Sequence, residues 1–386
     1  MSHADIYFVA AEASGFLLAR EVIEQIQIIR PSLSIQGIGG GEMEAIGIQS
    51  PIDISPLSVL GLFEGIKAYG EVVRLADAAA EAILKANPQV VVLVDSWGFM
   101  LRLAQRIRAK APQIRLVKLI GPQVWATRPG RAKTLAATVD HLLCMHDIEV
   151  AYYAPYGLKT TVIGSPALSR GGQGDRDRFR RKHGLMEGDI ALLVLPGSRR
   201  SEIAKVAPAL MEAARLVNRA LPGTRLFVEP AETMLHQFED VFPAASEQFS
   251  VLTESSERFD AMAGADIVLA CSGTVTSEVA MQGTPMIVAY KTGWITWGLA
   301  RGLLYKKKHI TLLNILNDDR PIVPEFIQTK QHPGKIAEQV IAWIKQPGAL
   351  AHQRETQMNA LRKLLKTETP AATVAAGAIL EEFEIT

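Results

Sequence analysis

Short apolar runs alternate with helical patterns along nearly the whole sequence, and this alternation limits the fold more than any other feature. The apolar runs cover residues 6–10, 34–38, 90–94, 115–120, 141–145, 160–163, 190–195, 225–228, 250–252, 267–270 and 286–289. Strands that alternate with helices usually pair in parallel, and helices then cover both faces of the sheet. We therefore predict an α/β fold with two Rossmann-like, doubly wound domains that face a cleft.

A segment rich in glycine and serine, residues 164–174, separates the two series of strands and is typical of a linker. We predict a first domain over residues 1–166, a second over 167–345, and a helical tail over 346–386. The helical tail could pack back against the first domain. Ligands of such domains bind at the carboxyl ends of strands, so the cleft is the predicted binding site.

Composition excludes several classes of protein. The formal net charge of the 386 residues is +1, so bulk charge predicts no nucleic-acid partner. The two cysteines, Cys144 and Cys271, fit a reducing cytosol without disulfide bonds. The first residues lack the basic start of a signal peptide, and no apolar run reaches the ~18 residues of a spanning helix. Any membrane contact is therefore predicted to be peripheral.

The stretch from Val268 to Lys291 predicts a strand, a tight turn, a helix and a second strand. Small residues with hydroxyl groups form the turn, namely Ser272, Gly273, Thr274 and Thr276. Free N–H groups at the start of a helix favour an anion, typically phosphate, and glycine permits close approach of the backbone. Glu278, in the first helical turn, could accept hydrogen bonds from ribose. The alternative is an ordinary capped helix.

A second turn, Pro196–Arg199, also follows a strand, and two such turns at one cleft suit a nucleotide diphosphate sugar. Arg199 offers a fixed fork of donors to the diphosphate, although it could equally be a surface arginine beside Arg200. Asp95 follows the strand 90–94, where a carboxylate could act as a general base or cap a turn. Glu12 is placed similarly and is equally ambiguous.

Three other signals are weak. The glycines at 37–41 do not follow the first strand and lack the full spacing of a dinucleotide loop. Asp175 and Asp177 open a charged run that favours a solvated helix end over a metal site. His141 and His146 flank Cys144 without further ligands. We predict neither a metal ion nor a cofactor.

One segment has the composition of a membrane interface. Two tryptophans, Trp294 and Trp297, lie among apolar residues and precede three lysines, Lys306, Lys307 and Lys308. This combination favours contact with anionic lipid. Core packing followed by a solvated lysine run is the alternative. A second apolar segment, residues 56–63, could join it in meeting a lipid substrate.

Several motifs together carry a family resemblance over nearly the whole length. In the second half they are Leu195–Glu202, Ala270–Glu278, Gly283–Lys291, Leu313–Leu316 and Val323–Gln328. In the first half they are Glu12–Gly15, Leu57–Val59 with Gly61 and Leu62, and Val124–Ala126 with Arg128 and Arg131. With these motifs the chain resembles lipid-A-disaccharide synthase, an inverting glycosyltransferase of the GT-B fold.

The resemblance implies transfer of a 2,3-diacylglucosaminyl group from UDP to 2,3-diacylglucosamine 1-phosphate. The family works in the cytoplasm of Gram-negative bacteria, peripherally on the inner membrane, without a dissociable metal; a homodimer is also allowed. The resemblance implies that Asp95 is the base. It implies donor contacts by Arg199, Ser272, Gly273, Thr274, Thr276, Glu278, Asn314 and Gln328. It also implies that the contacts to the acceptor or lipid are made by Glu12, Ser14, Gly15, Leu60, Phe63, Trp125 and Arg128.

The departures from the family pattern lie in the first half. Phe16 stands where the family has an acid, and Ser165 where it has a histidine. After Asp95, Gly98 stands in place of an acid and Met100 in place of an amide. Lost hydrogen-bond partners change discrimination between polar substrates. We therefore expect donor binding to be retained, while acceptor choice or activity has drifted. The rivals are another acceptor, a UDP-N-acetylglucosamine 2-epimerase, and a catalytically silent protein that binds UDP-sugar or lipid.

Overall fold

The computed structural model describes residues 3–59, 65–170, 172–293, 308–364 and 369–385. The chain forms two compact units. Unit 1 comprises Met1–Ser169 and Thr367–Thr386, and unit 2 comprises Arg170–Lys366.

Helices separate most of the strands in both units. In chain order the α-helices are α1 Ala13–Ile29, α2 Glu42–Ala45, α3 Ser55–Val59, α4 Gly65–Ala86, α5 Trp97–Lys110, α6 Arg131–Ala136, α7 Asp147–Tyr153, α8 Pro166–Arg170, α9 Arg176–Lys182, α10 Arg200–Lys205, α11 Ala207–Ala220, α12 Leu235–Val241, α13 Arg258–Gly264, α14 Val275–Met281, α15 Leu312–Leu316, α16 Pro333–Lys345, α17 Ala349–Leu364 and α18 Ala371–Ile385. Short 3₁₀ helices lie at Ala154–Tyr156, Glu232–Met234, Ala245–Glu247, Ser255–Glu257 and Gln328–Lys330.

Unit 1 is built on a six-stranded sheet with the order β2-β1-β3-β4-β5-β6. Its strands are β1 Ile6–Val9, β2 Ile35–Ile38, β3 Val90–Val94, β4 Arg115–Leu119, β5 His141–Cys144 and β6 Lys159–Val162, and they pair in parallel. Apolar residues of α4 and α5 form a core with one face of this sheet, and those of α1 and α18 form a core with the other. Burial on both faces explains why the central strands β1 and β3 are continuously apolar.

Helix α18 is joined to the sheet of unit 1 by charge as well as by apolar packing. The Glu382 side chain is fully buried and lies 2.5 Å from Arg115 Nη2 and 2.7 Å from Lys159 Nζ. His141 Nδ1, also fully buried, lies 3.1 Å from Glu382 Oε1. Arg115, His141 and Lys159 belong to three neighbouring strands, so one carboxylate connects α18 to β4, β5 and β6.

Unit 2 contains a second six-stranded sheet with the order β12-β11-β10-β7-β8-β9. Its strands are β7 Ala191–Leu195, β8 Arg225–Val228, β9 Ser250–Val251, β10 Ile267–Cys271, β11 Met286–Tyr290 and β12 Glu325–Ile327, again paired in parallel. Residues of α11 and α16 contribute to the core on one face. The predicted α/β class with two parallel sheets is confirmed.

The helical sequence pattern near residues 203–216 is typical of one helix, but the structure has two helices there. The helix α10 ends at Lys205, and α11 begins at Ala207 with Pro208 in its first turn. Proline has no N–H to donate and favours the first turn of a helix, so it starts a new helix instead of continuing the old one. None of the helices in the described ranges has the length and apolar character needed to cross a lipid bilayer.

Candidate functional site

The strand order of unit 2 places two turns side by side. Strands β7 and β10 are paired directly and in parallel, with Ala270 opposite Leu195, so the turns that follow them share one edge of the sheet. Arg199 from the first turn and Ser272–Thr274 from the second line a cavity of about 130 Å³. The edge formed by the carboxyl ends of strands is the usual ligand site of doubly wound sheets.

The turn after β10 is accessible and internally braced. Gly273 and Thr274 are exposed and Ser272 is half-buried. A Cβ atom built on Gly273 would meet no atom within 4 Å, so packing inside the protein does not require a glycine there. Thr276, in contrast, is buried, and its Oγ1 donates a 2.8 Å hydrogen bond to the carbonyl of Gly273. Thr276 therefore stabilises the conformation of the turn through its hydroxyl group.

The turn after β7 is fixed by a buried glutamate, Glu202. Its Oε2 accepts a hydrogen bond from the Ser198 N–H at 2.9 Å, and its Oε1 accepts one from Arg199 Nη1 at 2.8 Å. Gly197 has a φ of 122°, and a Cβ atom there would lie 2.6 Å from Glu202 Cβ. The Arg199 side chain is 73% exposed, so one edge of its guanidinium is held while the remainder faces solvent.

A chain of charged side chains extends from this cavity to Glu278. Arg258 donates to Glu278 Oε2 at 2.6 Å and 3.2 Å, which fixes the carboxylate that the sequence assigns to ribose. Arg258 Nε is 4.0 Å from Glu229 Oε1, beyond hydrogen-bond distance. Glu229 and Arg258 line the cavity, and burial raises the pKa of the Glu229 carboxyl to about 7.

Sequence reasoning missed Glu202, Glu229 and Arg258. A signal for Glu229 existed, because Glu229 directly follows β8 as Asp95 follows β3. Nothing comparable marked Arg258, which begins α13 at a distance in sequence from both of its carboxylate neighbours.

Asn314 and Gln328 do not line the cavity, and both use their amide groups inside the protein. Asn314 is fully buried; it donates to the Val323 carbonyl at 2.8 Å and to Glu325 Oε1 at 2.9 Å, and accepts from the Val323 N–H at 2.7 Å. Gln328 has a φ of 54° and accepts a hydrogen bond from the Thr292 N–H at 2.7 Å. Both side chains brace the backbone.

In unit 1, Asp95 lies directly after β3 in an unusual backbone conformation. The φ angles of Asp95 and Ser96 are 48° and 39°, in the left-handed region that non-glycine residues rarely occupy. The buried ammonium of Lys118, on the neighbouring strand β4, donates to the carbonyls of Leu93 and Asp95. Burial lowers the pKa of Lys118 to about 7. Sequence reasoning did not single out Lys118, because it lies inside an apolar run.

The predicted acceptor-side residues differ widely in exposure. Glu12 precedes α1 without a capping hydrogen bond from its side chain, and both Glu12 and Ser14 are exposed. Gly15 is buried in the first turn of α1, where a Cβ atom would lie 3.5 Å from Ala10 Cβ. Trp125 is buried, with an Nε1 that has no hydrogen-bond partner in the described part of the chain. Arg128 is exposed, with a φ of 48°.

The departures from the family pattern bring apolar groups into this region. Phe16 is half-buried and packs against both apolar cores of unit 1. It also lines a cavity with Gly39–Gly41. Met100, which stands in place of an amide, is fully buried. The Arg131 guanidinium lies over the Trp97 ring, with its Cζ 5.0 Å from the ring centre.

Several predicted residues lie outside the described ranges, namely Leu60, Phe63, Trp294, Trp297, Lys306 and Lys307. Lys308 is described and exposed, and its backbone N–H donates to Asp319 Oδ2 at 2.8 Å. Within the described ranges, no group of three or more His, Cys, Asp or Glu side chains is arranged to hold a metal ion.

A solved structure shares the fold. The chain superposes on UDP-GlcNAc 2-epimerase from Neisseria meningitidis, solved bound to UDP-GlcNAc, with a TM-score of 0.59 and 10% identity over 100% of both chains. At this identity the likeness concerns the fold alone.

Sequence comparison is more specific. The lipid-A-disaccharide synthase of Paramagnetospirillum magneticum is 33% identical over 96% of this chain and 95% of that protein. The enzyme of the same name from Rhodospirillum centenum is 30% identical over 97% and 94%, respectively. The family model described as lipid-A-disaccharide synthetase matches residues 6–382. With a match over nearly its whole length, the chain belongs to the lipid-A-disaccharide synthase family.

Proposed function

We propose that the cavity of unit 2 binds the UDP part of a UDP-2,3-diacylglucosamine donor, and that Asp95 of unit 1 activates the acceptor hydroxyl. The chain is a glycosyltransferase of lipid A disaccharide synthesis by family. The observation that carries the assignment of residues is the shared cavity of Arg199 and the Ser272–Thr274 turn. A related fold binds UDP-GlcNAc in Neisseria meningitidis UDP-GlcNAc 2-epimerase, which makes the same class of ligand reasonable here.

The diphosphate is assigned to the two turns because they combine charge, hydroxyl groups and open space. Arg199 presents a guanidinium whose orientation Glu202 fixes, and arginine binds phosphate oxygens with two parallel hydrogen bonds. Open space above Gly273 allows the diphosphate to approach the backbone closely. Thr276 supports this turn, since its hydroxyl is committed to the Gly273 carbonyl.

Glu278 is assigned to the ribose hydroxyls. Its Oε2 accepts two hydrogen bonds from Arg258, which fix the orientation of the carboxylate. A carboxylate oriented in this way accepts hydrogen bonds from neighbouring hydroxyls. Asn314 and Gln328 are assigned positioning roles, because their amides hold the backbone at Val323 and Thr292.

The reaction then follows as one displacement. The acceptor 6-hydroxyl attacks the anomeric carbon from the face opposite UDP, the bond from that carbon to the UDP oxygen breaks, and the hydroxyl proton passes to the Asp95 carboxylate. The electron pair of the broken bond stays on UDP. Arg199 and the donors of the two turns stabilise this charge, and they are held in place before the reaction begins.

We also propose that residues 294–308 contact the inner membrane peripherally. We further propose that the chain forms a homodimer. Lys308 is exposed at the end of this segment, and the acceptor of the family is a lipid. Sedimentation with anionic vesicles tests the membrane contact; a chain that stays in the supernatant at low salt contradicts it. Size-exclusion chromatography with light scattering tests the dimer.

The donor site is tested by titrating UDP into the wild type, Arg199→Ala, Arg199→Lys and Arg200→Ala. Losing a hydrogen bond to a charged group costs about 1.5–3 kcal/mol, so we expect Arg199→Ala to weaken binding at least about tenfold. Arg199→Lys retains the charge without the fork, so its affinity should be intermediate. Arg200 is exposed and does not line the cavity, which makes Arg200→Ala the matched control. Equal affinities for the Arg199→Ala and Arg200→Ala variants would refute the site.

A further inference from the structure

The cavity of unit 2 contains a carboxyl group, that of Glu229, and each arginine of the cavity has a closer carboxylate partner. Arg199 pairs with Glu202 at 2.8 Å, and Arg258 pairs with Glu278 at 2.6 Å. Glu229 is the third carboxyl of this cluster, and its Oε1 lies 4.0 Å from Arg258 Nε. Each guanidinium therefore has a closer carboxylate than Glu229.

The Glu229 side chain is also removed from water. It is 9% exposed, and its Oε2 is buried with no hydrogen-bond partner in the described part of the chain. An ionised carboxylate without partners is costly to bury, and the usual response is that the group binds a proton. A neutral carboxyl has both an O–H donor and a carbonyl acceptor.

The neighbouring elements add charges of both signs. Arg258, at the start of α13, lowers the pKa of Glu229, whereas Glu278 of α14 and Glu257 of the 3₁₀ helix Ser255–Glu257 raise it. Arg199, in the turn after β7, and Glu202, in α10, line the same cavity. Burial is the largest influence and raises the pKa to about 7, so a small additional negative charge decides the protonation state near neutral pH.

We propose that Glu229 is a binding residue that takes part in donor recognition as the neutral acid, so that binding of a nucleoside diphosphate is coupled to uptake of one proton. This inference rests on the proposed function, because it requires the diphosphate to occupy the same cavity. A diphosphate anion beside an ionised Glu229 would add repulsion in a poorly solvated space. The protonated form removes that repulsion and supplies a hydrogen-bond donor to the ligand.

The affinity for UDP should fall as the pH rises through the pKa of Glu229. Below the pKa the Glu229 carboxyl is already neutral, and UDP binds without an added cost. Above the pKa a proton must first be taken up, so affinity falls as pH rises, by up to about tenfold per unit for one linked proton. Between pH 6.5 and 8.5 we expect the affinity of the wild type to fall about tenfold relative to Glu229→Gln.

The experiment is calorimetric titration of UDP into the full-length wild type and Glu229→Gln across this pH range. Each point is measured in two buffers that differ in ionisation enthalpy, which gives the number of protons taken up. Glutamine keeps the shape of the neutral acid, and the difference between the two proteins cancels the titration of UDP itself. Glu232→Gln, an exposed position that does not line the cavity, is the matched control.

The outcomes separate the two proposals. Proton uptake in the wild type and Glu232→Gln but not in Glu229→Gln supports the role of Glu229. Parallel pH dependence in all three proteins, with Arg199→Ala still weakening binding, overturns that role and leaves the donor site intact. An unchanged affinity for Arg199→Ala overturns the donor site itself. If Glu229→Gln fails to fold, an absence of net proton uptake in the wild type, after correction for UDP, still overturns the inference.

Discussion

Asp95 occupies a conformation that is costly for a residue with a side chain. Left-handed backbone angles at non-glycine residues cost of order 1–3 kcal/mol each, and they persist where surrounding structure enforces them. Asp95 and Ser96 both have such angles, with φ values of 48° and 39°. The strained pair lies at the carboxyl end of a central strand. Their position is consistent with a carboxylate held ready for proton transfer.

Asp95→Asn should lower turnover by about 10²–10⁴-fold, because the amide cannot accept the acceptor proton and general-base catalysis contributes about this much. The affinity for UDP should not change, since the cavity assigned to UDP is lined by residues of unit 2. Steady-state rates of disaccharide formation and UDP titration measure the two effects. Asp77→Asn, at an exposed ion pair with Arg106, serves as the control. A comparable loss of turnover and UDP binding in Asp95→Asn would show that Asp95 is structural.

At the scale of elements, strand β4 supports the end of β3 through Lys118. Its buried ammonium donates to two carbonyls of the neighbouring strand segment, those of Leu93 and Asp95. A buried lysine is expensive, and burial lowers the pKa of Lys118 to about 7. The hydrogen bonds to the strained segment offset part of that cost. Lys118 is therefore a positioning residue for Asp95.

Lys118→Met should lower turnover about tenfold while UDP affinity stays the same, because methionine fills the space without supplying donors to the two carbonyls. The double variant Asp95→Asn/Lys118→Met should be no slower than Asp95→Asn, since coupled residues are not additive. Turnover of the three variants and of the wild type completes this cycle. Additive losses would mean that Lys118 acts independently of Asp95.

The alternation of strands and helices could be predicted because it depends on local periodicity alone. The meeting of Arg199 with the Ser272–Thr274 turn could be predicted from the rule that parallel strands share a carboxyl edge. The roles of Thr276 and Asn314 could not, because hydroxyl and amide groups bind ligand or backbone equally well. Their partners, the carbonyl of Gly273 and the backbone of Val323, became evident only in the folded chain.

At the scale of the whole molecule, Glu382 connects the two ends of the sequence of unit 1. The carboxylate is fully buried and pairs with Arg115 and Lys159, both distant in sequence. The two cations are 31% and 43% exposed, so water partly replaces a lost carboxylate. Hydrogen bonds to charged groups contribute about 1.5–3 kcal/mol each. The integrity of the first sheet therefore depends on a residue encoded more than two hundred positions later.

Glu382→Gln should lower the free energy of unfolding of unit 1 by about 2 kcal/mol at pH 7, because charge-assisted hydrogen bonds are lost while the two cations keep some contact with water. Arg115 and Lys159 lower the pKa of Glu382, so its contribution is present above the unfolded value of 4.5 and is lost as pH falls below it. The difference between wild type and variant should thus shrink below about pH 4.5. Urea unfolding and hydrogen exchange of strands β4–β6 measure both effects. Glu381→Gln, at a 67% exposed side chain, is the control; equal destabilisation by the two variants would contradict this role.

Because α18 supplies Ala375, Ala376 and Ile379 to the core beneath the first sheet, unit 1 cannot be completed as it leaves the ribosome. Unit 2, Arg170–Lys366, is synthesised in between. At the usual rate of ~5–20 residues per second, the part of this sheet face that α18 covers stays exposed for roughly 10–40 s. The half of the chain that is translated first therefore becomes complete only after the last helix is made, and in that interval its exposed apolar surface favours aggregation.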